Sequence, residues 1–143
     1  YEYPHPAVTA DAVVFGFDGK SLNLLLINRG IEPYKGSWAL PGGFININET
    51  AEDGALRELK EETGVDDIYL EQFHTFTAVD RDPRERVMTI AFLAFIRQDD
   101  YSVVAGDDAA KAQWFPLSVL PELAFDHYDI MQDAVKVFNR HKE

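Results

Sequence analysis

The stretch GFININETAEDGALRELKEETGV, Gly43 to Val65, decides how this chain is read. Its second half has the marks of a helix from about Thr50 to Glu62. Asn48 or Thr50 can cap the start, acidic residues fill the first turn where the helix dipole favours them, and Gly64 supplies a C-terminal stop. At roughly 100° per residue, Ala51, Ala55, Leu56 and Leu59 form an apolar arc of roughly 140°. Glu58, Glu61 and Glu62 form an adjoining arc of roughly 100°. Glu62 falls between Ala51 and Ala55, so it is held near the protein body, whereas Glu61 lies at the solvent edge. Three carboxylates at these spacings repel one another unless a cation joins them. Mg²⁺ or Mn²⁺ would turn them into a hard oxygen-donor site. A KEE or REL run taken alone is ordinarily a solvated acidic face.

Outward from this helix, the bulk numbers set bounds. The chain has 143 residues, 46% of them apolar, enough for one globular domain with a real core and too apolar for disorder. No apolar run approaches a membrane span and no basic, apolar leader opens the chain. It opens at Tyr1 rather than Met, so a native start upstream is expected. It has no cysteine, which excludes disulfides and thiolate metal sites and fits a cytoplasmic protein. The formal charge of −12 disfavours attraction to nucleic acid or anionic membrane and favours divalent cations. An anionic ligand would need such cations, or a few placed arginines, to approach.

Along the chain, Ala7 to Phe17 reads as a strand, Asp18-Gly19 as a hairpin turn, and Leu22 to Asn28 as a buried strand. Pro33 to Ser37 is turn-rich, and Trp38 to Pro41 reads as a short strand entering Gly42-Gly43. Two strands, Ile68 to Val79 and Val87 to Ile96, flank a charged link from Asp80 to Arg86. Trp114-Phe115 begins a short strand before Pro116. A last helix starts near Asp126, with Ile130, Met131, Ala134, Val137 and Phe138 on one face. There is no internal repeat or linker, so residues 1–143 read as a single α+β domain with mixed strand pairing.

The spacing Gly43, five residues, Glu49, seven residues, then Arg57-Glu58-Leu59-Lys60-Glu61-Glu62-Thr63-Gly64-Val65 resembles the Nudix box at every specified position. The resemblance implies the Nudix fold, a mixed β-sheet sandwiched between α-helices, and cleavage of a nucleoside diphosphate linked to some group X. It implies Mg²⁺ (or Mn²⁺) held by Glu58, Glu61, Glu62 and the Gly42 carbonyl, with Arg57 paired to Glu49 to brace the loop. Gly43 and Gly64 are structural in that pattern. The full spacing moves the glutamates from solvated face to metal site.

The segments Thr75 to Phe92 and Leu123 to His127 are similar to one Nudix branch, and so are Tyr3 to Val13 and Pro33 to Pro41. That branch contains ADP-ribose pyrophosphatases and the ligand-sensing domain of transcriptional regulators of NAD metabolism. It implies ADP-ribose as the small-molecule nucleotide substrate, AMP and ribose 5-phosphate as products, and a homodimer. Arg81, Arg84 and Arg86 form a local positive patch suited to bidentate grip on phosphate. They can equally pair with Asp80, Asp82 and Glu85. Arg29 faces the same cleft or lies on the surface. Phe44, Tyr34, Phe76 and Trp38 can stack on a base or sit in the core. The general base stays open among Glu58, Glu61, Asp80, Asp82 and Glu85. His5, His74, His127 and His141 have no metal-ligand spacing, and His127 reads as a capping or interface residue.

Catalytic roles are thus expected for Arg57, Glu58, Glu61 and Glu62, and substrate contacts for Arg29, Phe44, Arg81 and Arg84. Two other functions compete: hydrolysis of a nucleoside triphosphate or nucleotide sugar, and a sensor domain that binds ADP-ribose without turnover. The box is intact, which favours catalysis. A longer native product with a basic C-terminal domain would favour the regulator.

Overall fold

A computed structural model describes residues 3–104 and 109–142. Among the described residues, seven strands and two α-helices run in the order β1 (Ala7–Phe17), β2 (Leu22–Arg29), β3 (Trp38–Ala39), β4 (Gly42–Phe44), α1 (Ala51–Thr63), β5 (Glu71–Phe76), β6 (Val87–Arg97), β7 (Ala109–Pro116) and α2 (His127–Lys142). The sheet path is β3-β2-β1-β6-β5, with β4 added to β1 and β7 to β2. Strands β1 and β6 run parallel, from Ala7 opposite Val87 to Phe17 opposite Arg97; the other pairs are antiparallel. This is the mixed α+β architecture expected.

Strand β1 is buried on both faces, as its near-continuous apolar run requires. Side chains alternate across a strand, so Ala10, Ala12 and Val14 pack with Ala55 and Leu59 of α1. Val13 and Phe15 pack on the other face with Ile130, Met131 and Ala134 of α2. Phe138 continues that face, stacking on Phe95 at 4.1 Å between ring centroids. The sheet is therefore sandwiched between the helices. At its other end β1 stays paired to β6 but exchanges β2 for β4: Phe15 to Phe17 face β2, whereas Thr9 to Asp11 face β4. A cleft opens where that exchange occurs.

Helix α1 begins on Thr50, whose hydroxyl accepts the Asp53 N–H at 3.1 Å, and ends on Gly64 at φ 78. Four elements differ from their sequence reading. Strand β5 is shorter than Ile68 to Val79: Asp67 adopts φ 59 and delays its start, and a turn closed by Arg81 N–H on the Ala78 carbonyl follows its end. Strand β7 is longer than Trp114-Phe115, because β2 offers it an edge from Asn23 to Arg29. Gly42–Phe44, for which no strand was read, pairs with β1 as β4, and β3 stops at Ala39 rather than Pro41.

Candidate active site

The cleft has a volume of about 340 Å³. Thr9 and Asp11 of β1, Arg29, the glycines of β4, Phe44, two glutamates of α1, the link residues Arg81, Asp82 and Arg84, and Phe125 and His127 at the start of α2 all face it.

On the α1 side, Glu62 is buried and its Oε1 accepts the Gly42 N–H at 2.8 Å. Burial pushes its pKa up to about 8, against the Gly42 hydrogen bond and with help from Glu58 and Asp11 nearby. Glu58 is half-buried and is also shifted upward, first by burial. Its carboxylate lies over Gly43. A Cβ there would stand 2.7 Å from Glu58 Cδ and 2.9 Å from both oxygens, so only glycine admits this approach. A Cβ on Gly42 would run into Asp11 Oδ1 and the Ala10 carbonyl.

Arg57 ties the loop to the helix. Its Nε and Nη2 donate to Glu49 at 3.0 and 2.7 Å, and Nη2 also reaches the Phe44 carbonyl at 3.2 Å. Glu49 in turn accepts the Asn46 N–H at 2.8 Å. The Arg57 hydrogen bonds hold the Glu49 carboxyl below the ordinary range. Arg57 Nη1 additionally bonds Glu58 at 2.8 Å and Glu61 at 3.2 Å. Glu61 turns toward Arg57 and is absent from the cleft lining, so the three box glutamates do not converge side by side. Among the described residues no three acidic or imidazole groups form a ready cation cage. The donor chemistry still fits a hard divalent ion: two buried or half-buried carboxylates of raised pKa face the cleft across a glycine cradle, and a cation would relieve their repulsion.

The link residues take other partners than phosphate. Arg81 is buried and its Nε and Nη2 form a bidentate pair with Asp126 at 2.9 and 2.8 Å. That commits it as a brace between the link and α2, so the grip on diphosphate expected of it has no free fork behind it. Arg84 pairs with Asp82 through Nε and Nη2, at 3.0 and 2.7 Å. Burial alone would raise the Asp82 carboxyl, yet the Arg84 hydrogen bonds hold it below its ordinary value. The Arg84 guanidinium also lies 4.8 Å from the Phe44 ring centroid and 5.4 Å from that of Phe125. Arg86 closes the link on the Thr77 and Ala78 carbonyls. Arg29 does face the cleft, with Nε donating to the Pro33 carbonyl at 2.7 Å and its guanidinium over Phe125.

Of the general-base candidates, Glu58 and Asp82 line the cleft; Asp80, Glu85 and Glu61 do not. Of the aromatic candidates, Phe44 lines it, Trp38 packs edge-on against Phe115, Phe76 packs against Phe73, and Tyr34 leans on Phe125. His127 is buried, and its Nδ1 accepts the Leu40 N–H at 3.0 Å. Burial lowers its pKa, which suits a neutral ring that accepts there and carries its proton on Nε2. The side chain of His141 lies outside the described residues. Thr9, Asp11 and Phe125 are among the cleft residues that the sequence reading did not single out. A carboxylate inside the apolar run AVTADAVVFGF was the available signal for Asp11.

A mixed sheet between two helices, entered by a glycine-cradled acidic helix, defines a class. The family described as NUDIX domain matches residues 5–134, and the chain belongs to it. Among relatives, it is 41% identical over 134 residues to the ADP-ribose pyrophosphatase of Methanocaldococcus jannaschii, covering 94% of this chain and 76% of that one. It is 36% identical to the ADPR responsive transcriptional repressor NtrR of Acinetobacter baylyi, covering 96% of this chain but only 56% of the repressor. Among solved structures, the NUDIX domain of Shewanella oneidensis NrtR complexed with ADP ribose superposes with a TM-score of 0.89. It shows 31% identity and covers 96% of this chain and 91% of that one.

Proposed function

We propose that this chain is a pyrophosphohydrolase that cleaves ADP-ribose to AMP and ribose 5-phosphate. The observation that carries it is Glu58 and Glu62 facing the cleft beside Gly42 and Gly43, with Arg57 bracing Glu49 behind them, together with 41% identity to an ADP-ribose pyrophosphatase. Glu58 and Glu62 would hold the Mg²⁺ or Mn²⁺, joined by Glu61 and the Gly42 carbonyl on rearrangement of the Arg57 contacts. A divalent ion there supplies charge neutralisation at phosphate oxygens and an acidified water. Glu62 would serve as a ligand in its ionised form. Arg57 keeps the loop and helix in register through Glu49. Glu58 and Asp82, the general-base candidates that face the cleft, are the groups to test as acceptors of the water's proton. Arg29 and Arg84 offer cationic surface to the diphosphate, and Phe44 offers a ring to the base.

The same proposal places the enzyme in the cytoplasm as a homodimer that does not contact nucleic acid through this domain; its acidity and lack of cysteine support this, and pairing is implied by the family resemblance. The second reading, a sensor that binds ADP-ribose without turnover, is favoured by the likeness to the repressor. Release of AMP from ADP-ribose with Mg²⁺, wild type beside Glu62→Gln, separates them. Turnover that collapses in the variant supports the hydrolase. Thermal stabilisation by ADP-ribose without AMP supports the sensor. Neither response, with turnover of a triphosphate or nucleotide sugar, replaces the substrate.

A further inference from the structure

Asp11 is a carboxylate in the middle of the most buried strand, 5% exposed. Such a group is expected to be fully satisfied by protein partners or to have a ligand. Half of it is satisfied. Oδ2 accepts the Thr89 hydroxyl from β6 at 2.7 Å, and the protonated Nε2 of His127 stands 3.7 Å away. Oδ1 has no hydrogen-bond partner among the described residues, yet it is not sealed off, and Asp11 lines the cleft. One oxygen thus anchors the side chain and the other is presented to whatever enters.

Position narrows what that is. Asp11 shares a strand face with Val13 and Phe15, which pack under α2, whereas Glu58 and Glu62 come from α1, with Asp11 close enough to Glu62 to help raise its pKa. A fixed, buried carboxylate repels phosphate, so it faces a part of the ligand that donates hydrogen bonds. For a diphosphate capped by group X, the donors are sugar hydroxyls; a triphosphate offers only more anionic oxygen in the same place.

We infer that Asp11 is a specificity-determining residue that accepts a hydroxyl from the sugar beyond the diphosphate, selecting sugar-capped nucleoside diphosphates over nucleoside triphosphates. This rests on the pyrophosphohydrolase reading above and names the feature of X that the site recognises. Asp11→Asn supplies a sharp test, because the amide oxygen can keep the Thr89 hydrogen bond while NH₂ replaces the free acceptor. The cleft then presents a donor where it presented an acceptor, without a change of shape.

The experiment is kcat/KM for ADP-ribose and for ATP, wild type beside Asp11→Asn, with Mn²⁺ affinity measured in the absence of nucleotide. The expected result is a fall of about tenfold to a hundredfold for ADP-ribose, mainly through KM, with ATP turnover rising. Mn²⁺ affinity should stay within about twofold. An equal fall for both substrates, or none for either, overturns the assignment. So does a tenfold loss of Mn²⁺ affinity, which would move Asp11 to the metal. Should the amide variant not fold, Asp11→Ala removes a buried charge and leaves space; it should shift the ratio in the same direction. Wild type that neither cleaves nor binds ADP-ribose sinks the parent reading instead, and is distinguishable because it appears before any variant is made.

Discussion

Two arginine–carboxylate clusters border the cleft, one built on a helix and one on a link between strands. In the first, Arg57 joins Glu49, Glu58 and Glu61, and α1 fixes where each of its own residues points. In the second, Arg81 goes to Asp126, 45 residues away, and Arg84 to Asp82, two residues away. The compositions are alike; the geometries are not. A helix converts spacing into direction, so i,i+4 in the sequence means side by side in space. A link has no such rule, and turn geometry decides which charges meet.

The comparison predicts unequal sensitivities. The largest belongs to the helix: Glu62→Gln should lower AMP release by about a hundredfold to a thousandfold, at unchanged ADP-ribose affinity. Equal losses from Arg84→Ala would erase the distinction between the clusters. Next, Arg57→Ala should cost about tenfold to a hundredfold in kcat, because it positions groups rather than touching the reacting atoms. Arg57→Lys should restore little, since one ammonium cannot hold Glu49 and Glu58 together. In the link, Arg84→Ala should raise KM by about tenfold or less and leave kcat nearly intact. Steady-state kinetics on the purified variants reads all three.

The smallest effect is on stability without metal. The Glu62 pKa is about 8 in the folded chain, above its ordinary value of 4.5. A raised folded-state value means stability that is fully present below the unfolded pKa and lost as pH rises through the folded one. The metal-free melting temperature should therefore drop by about a few degrees between roughly pH 5 and 8. Glu62→Gln should flatten that slope. A slope in the opposite direction would show Glu62 ionised and stabilised in the metal-free fold.

The same contrast explains what could be read from residues alone. Strands β1 and β2 and helix α1 appear within a residue or two of the apolar and capping pattern, because their own side chains demand burial. Strand β7 needed the partner β2 to be recognised, and Tyr69, 77% exposed, shows why the apolar look of Ile68 to Leu70 did not make a strand. In the site, α1 brings Glu58 and Glu62 to the cleft as the spacing required, whereas Glu61 turns away with Arg57. Asp11 and Phe125 arrive by strand pairing and by a left-handed residue at φ 55, two long-range or local backbone events that spacing does not encode. Arg81 looked like a phosphate grip for the same reason: Asp126 is distant in sequence and adjacent in space.

The buried imidazole of His127 has a consequence for motion. Leu40 donates its amide proton to a side chain at the start of α2 and not to a neighbouring strand. Its hydrogen exchange should therefore follow the lifting of α2 from the sheet, while the amides of β1 follow opening of the sheet itself. That single amide reports, in deuterium uptake, how often the last helix comes away from the floor of the cleft.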